Sequence, residues 1–290
     1  MQSISYKSEQ NTLNIAYGNS PLQQMDIYFP KRVYAEIPVV FFVHGGGFVG
    51  GSKDDVKENV VLFADKGFLT VSLNYRLVDS TGLDQSPPPN ILSSIKITDQ
   101  LEDIADAVNS FQSIATSKGI TIGKLFMAGH SAGGTLAMLY VQGHHNGRNI
   151  VQASANLAGL SSMTVPKNVF SSLAINDPQW LNRKELVCRL TGKEIIASNL
   201  SSLKELSANW VAEKFGGRPN ISIMPLSNDE DIQVTTFIST IKSAESFHDQ
   251  LIQAGIRSAI ELMDTDHDFE KNPGDWEKAV SLASDFFGSL

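Results

Sequence analysis

The chain has 290 residues, of which 42% are hydrophobic and 19% charged, a composition typical of a globular protein rather than a disordered or fibrous one. Its 23 basic and 31 acidic residues give a formal net charge of -8, and no run of Lys or Arg is long enough to neutralise a row of phosphates, so nucleic acid is not an expected partner. The single cysteine, Cys188, excludes both an intrachain disulfide and a cysteine zinc cluster.

Targeting signals are not evident in the sequence. Residues 1–10 lack the basic and apolar regions of a signal peptide, and no window approaches the roughly 20 apolar residues that span a bilayer. We therefore expect a cytoplasmic protein with no membrane partner.

The first predicted element is a β-hairpin. Residues 13–17 and 24–29 alternate weakly between apolar and polar side chains. The connection between them is rich in turn-forming residues, namely Gly18, Asn19 and Pro21.

From residue 38 onward, short apolar runs alternate with amphipathic stretches at helical spacing. This alternation predicts an α/β fold, with a mostly parallel central sheet flanked by helices. The predicted strands are 38–43, 68–73, 124–128, 150–157, 221–226 and 258–263. Helices are predicted around an apolar face formed by Ile97, Leu101, Ile104, Val108 and Phe111, and over 237–252 and 275–287.

Two segments interrupt this rhythm within what we expect to be a single domain, 1–290. Residues 78–90 form a polar loop, which we expect near the mouth of the substrate pocket. Residues 161–209 have a mixed pattern and are predicted to form a small cap insertion, the alternative being an irregular connection.

The motif Gly129-His-Ser-Ala-Gly133 follows the predicted strand 124–128 and precedes a helix-like run, 135–141. On such a strand-to-helix turn a serine is held strained and exposed at the carboxyl end of the sheet, and the glycines remove side chains that would collide. Ser131 is therefore a candidate nucleophile, and the N–H of Ala132 can point at a developing oxyanion. The alternative is a flexible glycine-rich turn with an inert serine.

A second glycine-rich motif, His44-Gly-Gly-Gly-Phe48, directly follows the strand 38–43. Backbone amides without Cβ atoms nearby can approach a substrate closely, and each oxyanion donor in a dry site is worth roughly 3 kcal/mol. Residues 45–50 also satisfy the dinucleotide pattern G-x-G-x-x-G. That alternative is disfavoured because the next strand is followed by Asn74-Tyr-Arg76 and not by an acidic residue that would hold a ribose.

A serine nucleophile needs a base, and chain order selects one. In the strand–elbow architecture the partners follow in the order Ser, acid, His. His44 and His130 precede or adjoin the serine, His144 and His145 leave no room for an intervening acid, and His248 falls inside a predicted helix. His267 follows the last predicted strand and is the candidate base.

The acid should follow the penultimate strand, 221–226. The loop there contains two aspartates, Asp229 and Asp231, which compete for the role of orienting the imidazole. The acids that flank His267 are expected to be solvated loop charges.

Three motifs together resemble the α/β-hydrolase superfamily, and more narrowly the carboxylesterases of the hormone-sensitive-lipase and feruloyl-esterase-like group. They are the His-Gly-Gly-Gly-Phe of 44–48, the Asn-Tyr-Arg-Leu of 74–77 and the Gly-His-Ser-Ala-Gly-Gly of 129–134. The resemblance runs from about residue 24 to the C-terminus. It implies Ser131 as the nucleophile and Gly46, Gly47 and Ala132 as the oxyanion donors.

The resemblance also implies which aspartate is the acid. The family's acid loop commonly has the form His-Gly-x-x-Asp-x-x-Val-Pro, which aligned with 227–235 places Asp231 at the acid position. Ser227 and Asn228 replace the His and Gly of that pattern, and Asn tolerates the positive φ that Gly often supplies.

The expected function is that of a serine hydrolase that cleaves small, short-acyl carboxylic esters through an acyl-enzyme, without a metal or organic cofactor. An arylformamide or amide hydrolase and a sugar deacetylase use the same machinery and remain alternatives. An inactive hydrolase-fold binding protein is an alternative of a different class. A lipase is disfavoured because 161–209 contains no strongly apolar lid.

Overall fold

The computed structural model describes residues 11–32, 35–164, 178–196, 200–226 and 240–290. Eight strands form one sheet in the order β1-β2-β4-β3-β5-β6-β7-β8. Their bounds are β1 Thr12–Ala16, β2 Gln24–Tyr28, β3 Ile37–Val43, β4 Leu69–Leu73, β5 Ile122–His130, β6 Val151–Leu157, β7 Asn220–Pro225 and β8 Ser258–Met263. The predicted α/β fold is confirmed.

The predicted hairpin is also confirmed, because β1 pairs with β2 in antiparallel orientation. Strand β2 is antiparallel to β4, whereas every pair from β4 through β8 is parallel. The carboxyl ends of β3, β5, β7 and β8 consequently lie at one edge of the sheet, which is where open α/β sheets bind their ligands.

Helices cover both faces of the sheet. Their bounds are α1 Lys57–Asp65, α2 Ile97–Ser117, α3 Ala132–Gln142, α4 Pro178–Thr191, α5 Ala208–Phe215, α6 Thr240–Gln253 and α7 Asp275–Gly288. Helices α1 and α7 pack on one face, and α2 and α3 pack on the other. Helix α1 was not predicted. Within the ranges that the structure covers, no helix is both long and apolar enough to cross a membrane.

The apolar face predicted for α2 is confirmed. Ile97, Leu101, Ile104, Val108 and Phe111 are all buried in the core between this helix and the sheet. Each fully buried apolar side chain of this size contributes about 1.5–3 kcal/mol relative to an exposed one. Burial of this face holds α2 against the sheet.

The segment between β6 and β7 leaves the sheet and returns to nearly the same point. The N–H of Ala208, at the start of α5, donates to the carbonyl of Ser161 at 2.8 Å. Between these two residues lie α4 and a 3-10 helix, Leu200–Leu206. Residues 165–177 and 197–199 of the segment lie outside the described part of the chain.

Arg189 of α4 fixes the loop 78–90. Its guanidinium is fully buried and donates to the carbonyl oxygens of Asp79, Thr81 and Pro89 at 2.8, 2.9 and 3.0 Å. The charge is balanced by Glu185, one turn earlier on the same helix, at 2.8 Å. The loop is therefore bound to α4 rather than free in solvent.

Candidate active site

Ser131 occupies a sharp turn between β5 and α3. Its backbone has φ 53° and ψ -123°, a conformation that costs a non-glycine residue about 1–3 kcal/mol. The turn is held by a 2.8 Å hydrogen bond from the N–H of Ser131 to the carbonyl of Leu157. A Cβ on Gly133 would lie 2.1 Å from the carbonyl oxygen of Val43, so only glycine lets the start of α3 pack against the end of β3.

The structure brings Ser131 and His267 together, as predicted. The Nε2 atom of His267 lies 2.9 Å from the Oγ atom of Ser131, although 136 positions separate them in sequence. His267 belongs to the loop that follows β8, at the same sheet edge as the turn. This distance is within the range required for proton transfer to a general base.

The other ring nitrogen of His267 is buried. Nδ1 has no hydrogen-bond partner among the residues that the structure describes. Burial lowers the pKa of the ring from its usual value of 6.5, while the nearby carboxylates Asp268 and Asp266 oppose that shift. The two predicted acids, Asp229 and Asp231, lie outside the described residues.

The glycine-rich loop after β3 faces this pair. Gly46 has φ 106°, and a Cβ there would lie 2.2 Å from the carbonyl oxygen of Gly50. The N–H of Gly50 closes this turn by donating to the carbonyl of Gly46 at 2.9 Å. In the described ranges, the backbone N–H groups of Gly46, Gly47 and Ala132 donate no hydrogen bond to another residue. Ala132 is also the first residue of α3, where the helix dipole favours negative charge. These three donors are therefore available to an anionic oxygen.

The Asn-Tyr-Arg motif of residues 74–76, which follows β4, packs against the glycine-rich loop. The Tyr75 ring stacks on His44 with centroids 4.3 Å apart, and its hydroxyl donates to the His44 carbonyl at 2.9 Å. Asn74 accepts from the N–H of Lys53 at 2.6 Å, at the far end of the loop. The Arg76 guanidinium is paired with fully buried Asp103 at 2.6 Å. Sequence reasoning identified this motif only by resemblance and assigned no role to it.

The dinucleotide alternative does not fit the backbone. In that motif the glycines open a helix whose N-terminus holds the pyrophosphate. Here α1 begins only at Lys57, after a further turn, and the glycines of 45–47 adjoin Ser131 instead.

His130, which chain order excludes as a base, contacts the loop that carries His267. Its Nε2 atom lies 2.8 Å from the backbone oxygen of His267, and burial lowers its pKa to about 4. The only signal in the sequence was its position next to Ser131. Of the other histidines, His144 and His145 lie beyond α3 beside Phe215, and His248 lies in α6.

A cleft of about 450 Å³ opens onto Ser131 and His267. Its other walls are largely polar: Ser52, Asn59 and Trp276 line it together with the carboxylates Asp55, Asp268 and Glu270. No Lys or Arg in the described ranges lines this cleft. Residues 78–90 are not among the described residues that line the cleft, but the N–H of Val78 donates to the carbonyl of Phe48 at 3.1 Å, so the start of this loop adjoins the glycine-rich motif.

Within the described part of the chain, one group of side chains has ligand atoms close enough to share a metal ion. These are His130, His267 and Asp268, whose ligand atoms lie within 4.8 Å of one another. The Nε2 atoms of both imidazoles are already engaged, one with a carbonyl oxygen and the other with Ser131. A cation bound here would compete with Ser131 for His267.

Curated relatives of this chain include two fish kynurenine formamidases. The protein of Danio rerio is 22% identical over 259 residues, which cover 89% of this chain and 75% of the relative. That of Salmo salar is 23% identical over 130 residues, and the matched part spans 38% of its length. The chain also matches 4% of the length of a non-reducing polyketide synthase of Aspergillus calidoustus, at 34% identity over 87 residues.

Solved structures with the same fold include two esterases. A truncated carbohydrate esterase from gut microbiota superposes with a TM-score of 0.70 at 16% identity, covering 99% of each chain. Esterase B of Lactobacillus rhamnosis, inhibited by a tributyrin phosphonate, gives a TM-score of 0.68 at 17% identity, covering 96% of this chain and 85% of that one. The BD-FAE family model matches residues 25–169, half of the sequence. The chain therefore belongs to the BD-FAE family, a family of α/β-hydrolase-type esterases.

Proposed function

We propose that the protein hydrolyses small, short-acyl esters through an acyl-enzyme formed on Ser131. The Oγ atom attacks the ester carbonyl while Nε2 of His267 accepts its proton, and the same proton then passes to the departing alcohol. Water, activated by His267, releases the acid and restores the serine. The observation that carries this proposal is the 2.9 Å contact between Nε2 and Oγ at a strained turn that borders the cleft. An inactive binding protein would have no need of either feature.

The acid of the proposed triad is Asp231. When Nε2 accepts the serine proton, Nδ1 carries the other ring proton and must donate it, because an unpaired buried donor costs about 1–3 kcal/mol. Nδ1 of His267 is buried without a partner in the described ranges, and the segment that contains Asp231 follows the adjacent strand, β7. An aspartate from that segment would satisfy Nδ1 and stabilise the imidazolium.

The proposed oxyanion donors are the N–H groups of Gly46, Gly47 and Ala132. Their support is that all three lack an acceptor in the described part of the chain and belong to the two turns that border the Ser131 hydroxyl. The stacked pair of His44 and Tyr75 holds the first turn rigid. Rigid donors aimed at the oxyanion stabilise the transition state without a reorganisation cost.

Short acyl chains are expected to be the best substrates. The cleft is about 450 Å³ in volume with a polar rim, so it gives a long chain little apolar surface to contact. Measuring kcat/KM for p-nitrophenyl esters of increasing chain length tests this, and the acetate and butyrate esters should give the highest values. In a long apolar groove each added CH2 would instead gain about 0.8 kcal/mol, roughly fourfold in kcat/KM. A steady rise to the laurate ester would contradict the prediction and indicate a lipase.

The relatives and structural neighbours favour two alternative substrates for the same machinery. Kynurenine formamidases among the relatives favour an aryl formamide, and the carbohydrate esterase among the structures favours an acetylated sugar. Adding both compounds to the ester panel separates the three reactions. A kcat/KM for the formamide that exceeds every ester by tenfold or more would make amide hydrolysis the main activity.

The kcat/KM for a neutral ester is expected to rise with pH through one ionisation in the acidic to neutral range, that of His267. Only the neutral imidazole of His267 can accept the serine proton, so activity is lost as pH falls through its pKa. Burial lowers that pKa from 6.5, which keeps the base competent in mildly acidic solution. The measurement is kcat/KM at constant ionic strength across this range. A kcat/KM that stays constant, or that decreases as pH rises through this range, would contradict the expectation.

Stability must be followed in the same experiment. Burial lowers the pKa of both His44 and His130 to about 4, whereas in the unfolded chain they ionise near 6.5. Between these values the unfolded state binds more protons than the folded state, so the free energy of unfolding decreases as pH falls from 6.5 toward 4. A melting temperature at each pH separates this effect from ionisation of His267.

We further propose that 1–290 forms one α/β-hydrolase domain in which 161–209 is a cap insertion. The hydrogen bond between Ser161 and Ala208 supports it, because an insertion can leave and re-enter a fold only where its ends meet. The clamp from Arg189 to the loop 78–90 supports it as well, since it docks α4 on a neighbouring surface loop. Cytoplasmic location stays a prediction from the sequence.

A further inference from the structure

His130 lies between the nucleophile turn and the loop that carries the base. It is the last residue of β5, and its side chain is 11% exposed. Aromatic rings enclose it: its centroid is 5.1 Å from His267, 5.5 Å from Trp276 and 6.0 Å from Phe269. The ring is therefore packed in place and has little freedom to turn.

The hydrogen bond of His130 fixes its tautomer. Its Nε2 atom lies 2.8 Å from the backbone oxygen of His267, and a carbonyl oxygen can only accept, so the proton is on Nε2. The carboxylate of exposed Asp268 is 3.9 Å from the same nitrogen. Because burial lowers the pKa of His130 to about 4, the ring is neutral when the enzyme works near neutral pH.

The loop that carries His267 needs a hydrogen bond of this kind because it follows a strand that is distant from β5. Strand β8 is at the edge of the sheet, separated from β5 by β6 and β7. Among the described residues, most of the loop's hydrogen bonds are internal or to the start of α7, for example from Thr265 to Asp275 at 2.5 Å and from Glu270 to Asp266 at 2.7 Å. These bonds fix the conformation of the loop but do not fix the position of His267 relative to Ser131.

We propose that His130 is a positioning residue, which holds His267 over Ser131 by donating its Nε2 proton to the backbone carbonyl of His267. Two adjacent residues at the end of β5 then position the base relative to the nucleophile. Ser131 contacts the imidazole of His267, and His130 binds the backbone of His267. This inference rests on the proposed roles of Ser131 and His267. Its consequence is geometric, since a shift of about 1 Å in a catalytic group can cost 100-fold in rate.

Three variants test the proposal. His130→Phe keeps the aromatic packing but removes the donor, and it should lower kcat on p-nitrophenyl acetate about 10- to 100-fold with KM changed less than threefold. His130→Gln places an amide N–H near the position of Nε2 and should restore kcat to within about threefold of the parent. His130→Asn carries the same amide one methylene shorter, cannot reach the carbonyl, and should behave like the Phe variant.

Melting temperatures accompany the kinetics. A merely structural role would make kcat follow stability, whereas the proposal requires Gln and Asn variants of similar melting temperature to differ in kcat. That pair decides the question even if the Phe variant does not fold. Equal kcat in the Gln and Asn variants, or parental kcat in the Phe variant, would overturn the proposal. Failure of the proposed function would be distinct: the parent itself would then not hydrolyse the ester, or would do so without Ser131.

Discussion

Ser131→Ala is expected to lower kcat on an activated ester by about 10⁴- to 10⁶-fold, because no other group can form the acyl-enzyme. The loss should be catalytic and not structural. The N–H of Ser131 donates to the carbonyl of Leu157, and the carbonyl of Ser131 accepts from the N–H of Thr135. Alanine at this position retains both backbone hydrogen bonds. Measuring kcat together with the melting temperature separates the two effects. A fluorophosphonate probe should label the parent and leave this variant unlabelled.

His267→Ala is the matched variant for the other half of the contact. It should lose a similar factor, and the double variant should be no worse than either single one, because residues that act as a unit have non-additive effects. Retention by Ser131→Ala of more than about a hundredth of kcat would show that Ser131 is not the nucleophile. Additive losses in the double variant would show that the two residues act separately.

Asp231→Asn is expected to lower kcat by about 10⁴-fold, as loss of the orienting anion does in other triads. The neutral amide can donate to Nδ1 as well as accept from it, and so favours the imidazole tautomer that cannot accept the serine proton. The buried, unpaired Nδ1 of His267 is the structural reason to expect an acceptor there. The measurement is kcat at a pH where His267 is neutral.

Asp229→Asn is the control, two positions away in the same loop. Asp229 is expected to bond turn backbone N–H groups, as aspartates commonly do, so its loss should cost about 1 kcal/mol of stability and little activity. A catalytic collapse in Asp229→Asn beside near-normal Asp231→Asn would reverse the assignment.

The sequence alone determined the strands, one helix face and the main chemical groups. Nearly continuous apolar runs identify most of the strands from β3 to β8, because strands buried on both faces carry little else, and the steps of three and four from Ile97 to Phe111 identify α2. The motif around Ser131 and the order of residues along the chain singled out His267. All of these signals are local or follow from the order of residues along the chain, so they can be recognised in the sequence alone.

Only the tertiary structure decided which distant residues support the site. His130 and His267 are 137 positions apart, and Arg189 reaches carbonyls more than 90 positions earlier, at 79, 81 and 89. Such contacts depend on the order of strands in the sheet, which no local pattern encodes. For that reason the sequence gave His130 no role and did not reveal that Arg189 binds the loop 78–90. Hydrophobic burial sets the elements, but the meeting of loops at one sheet edge sets the geometry on which the chemistry depends.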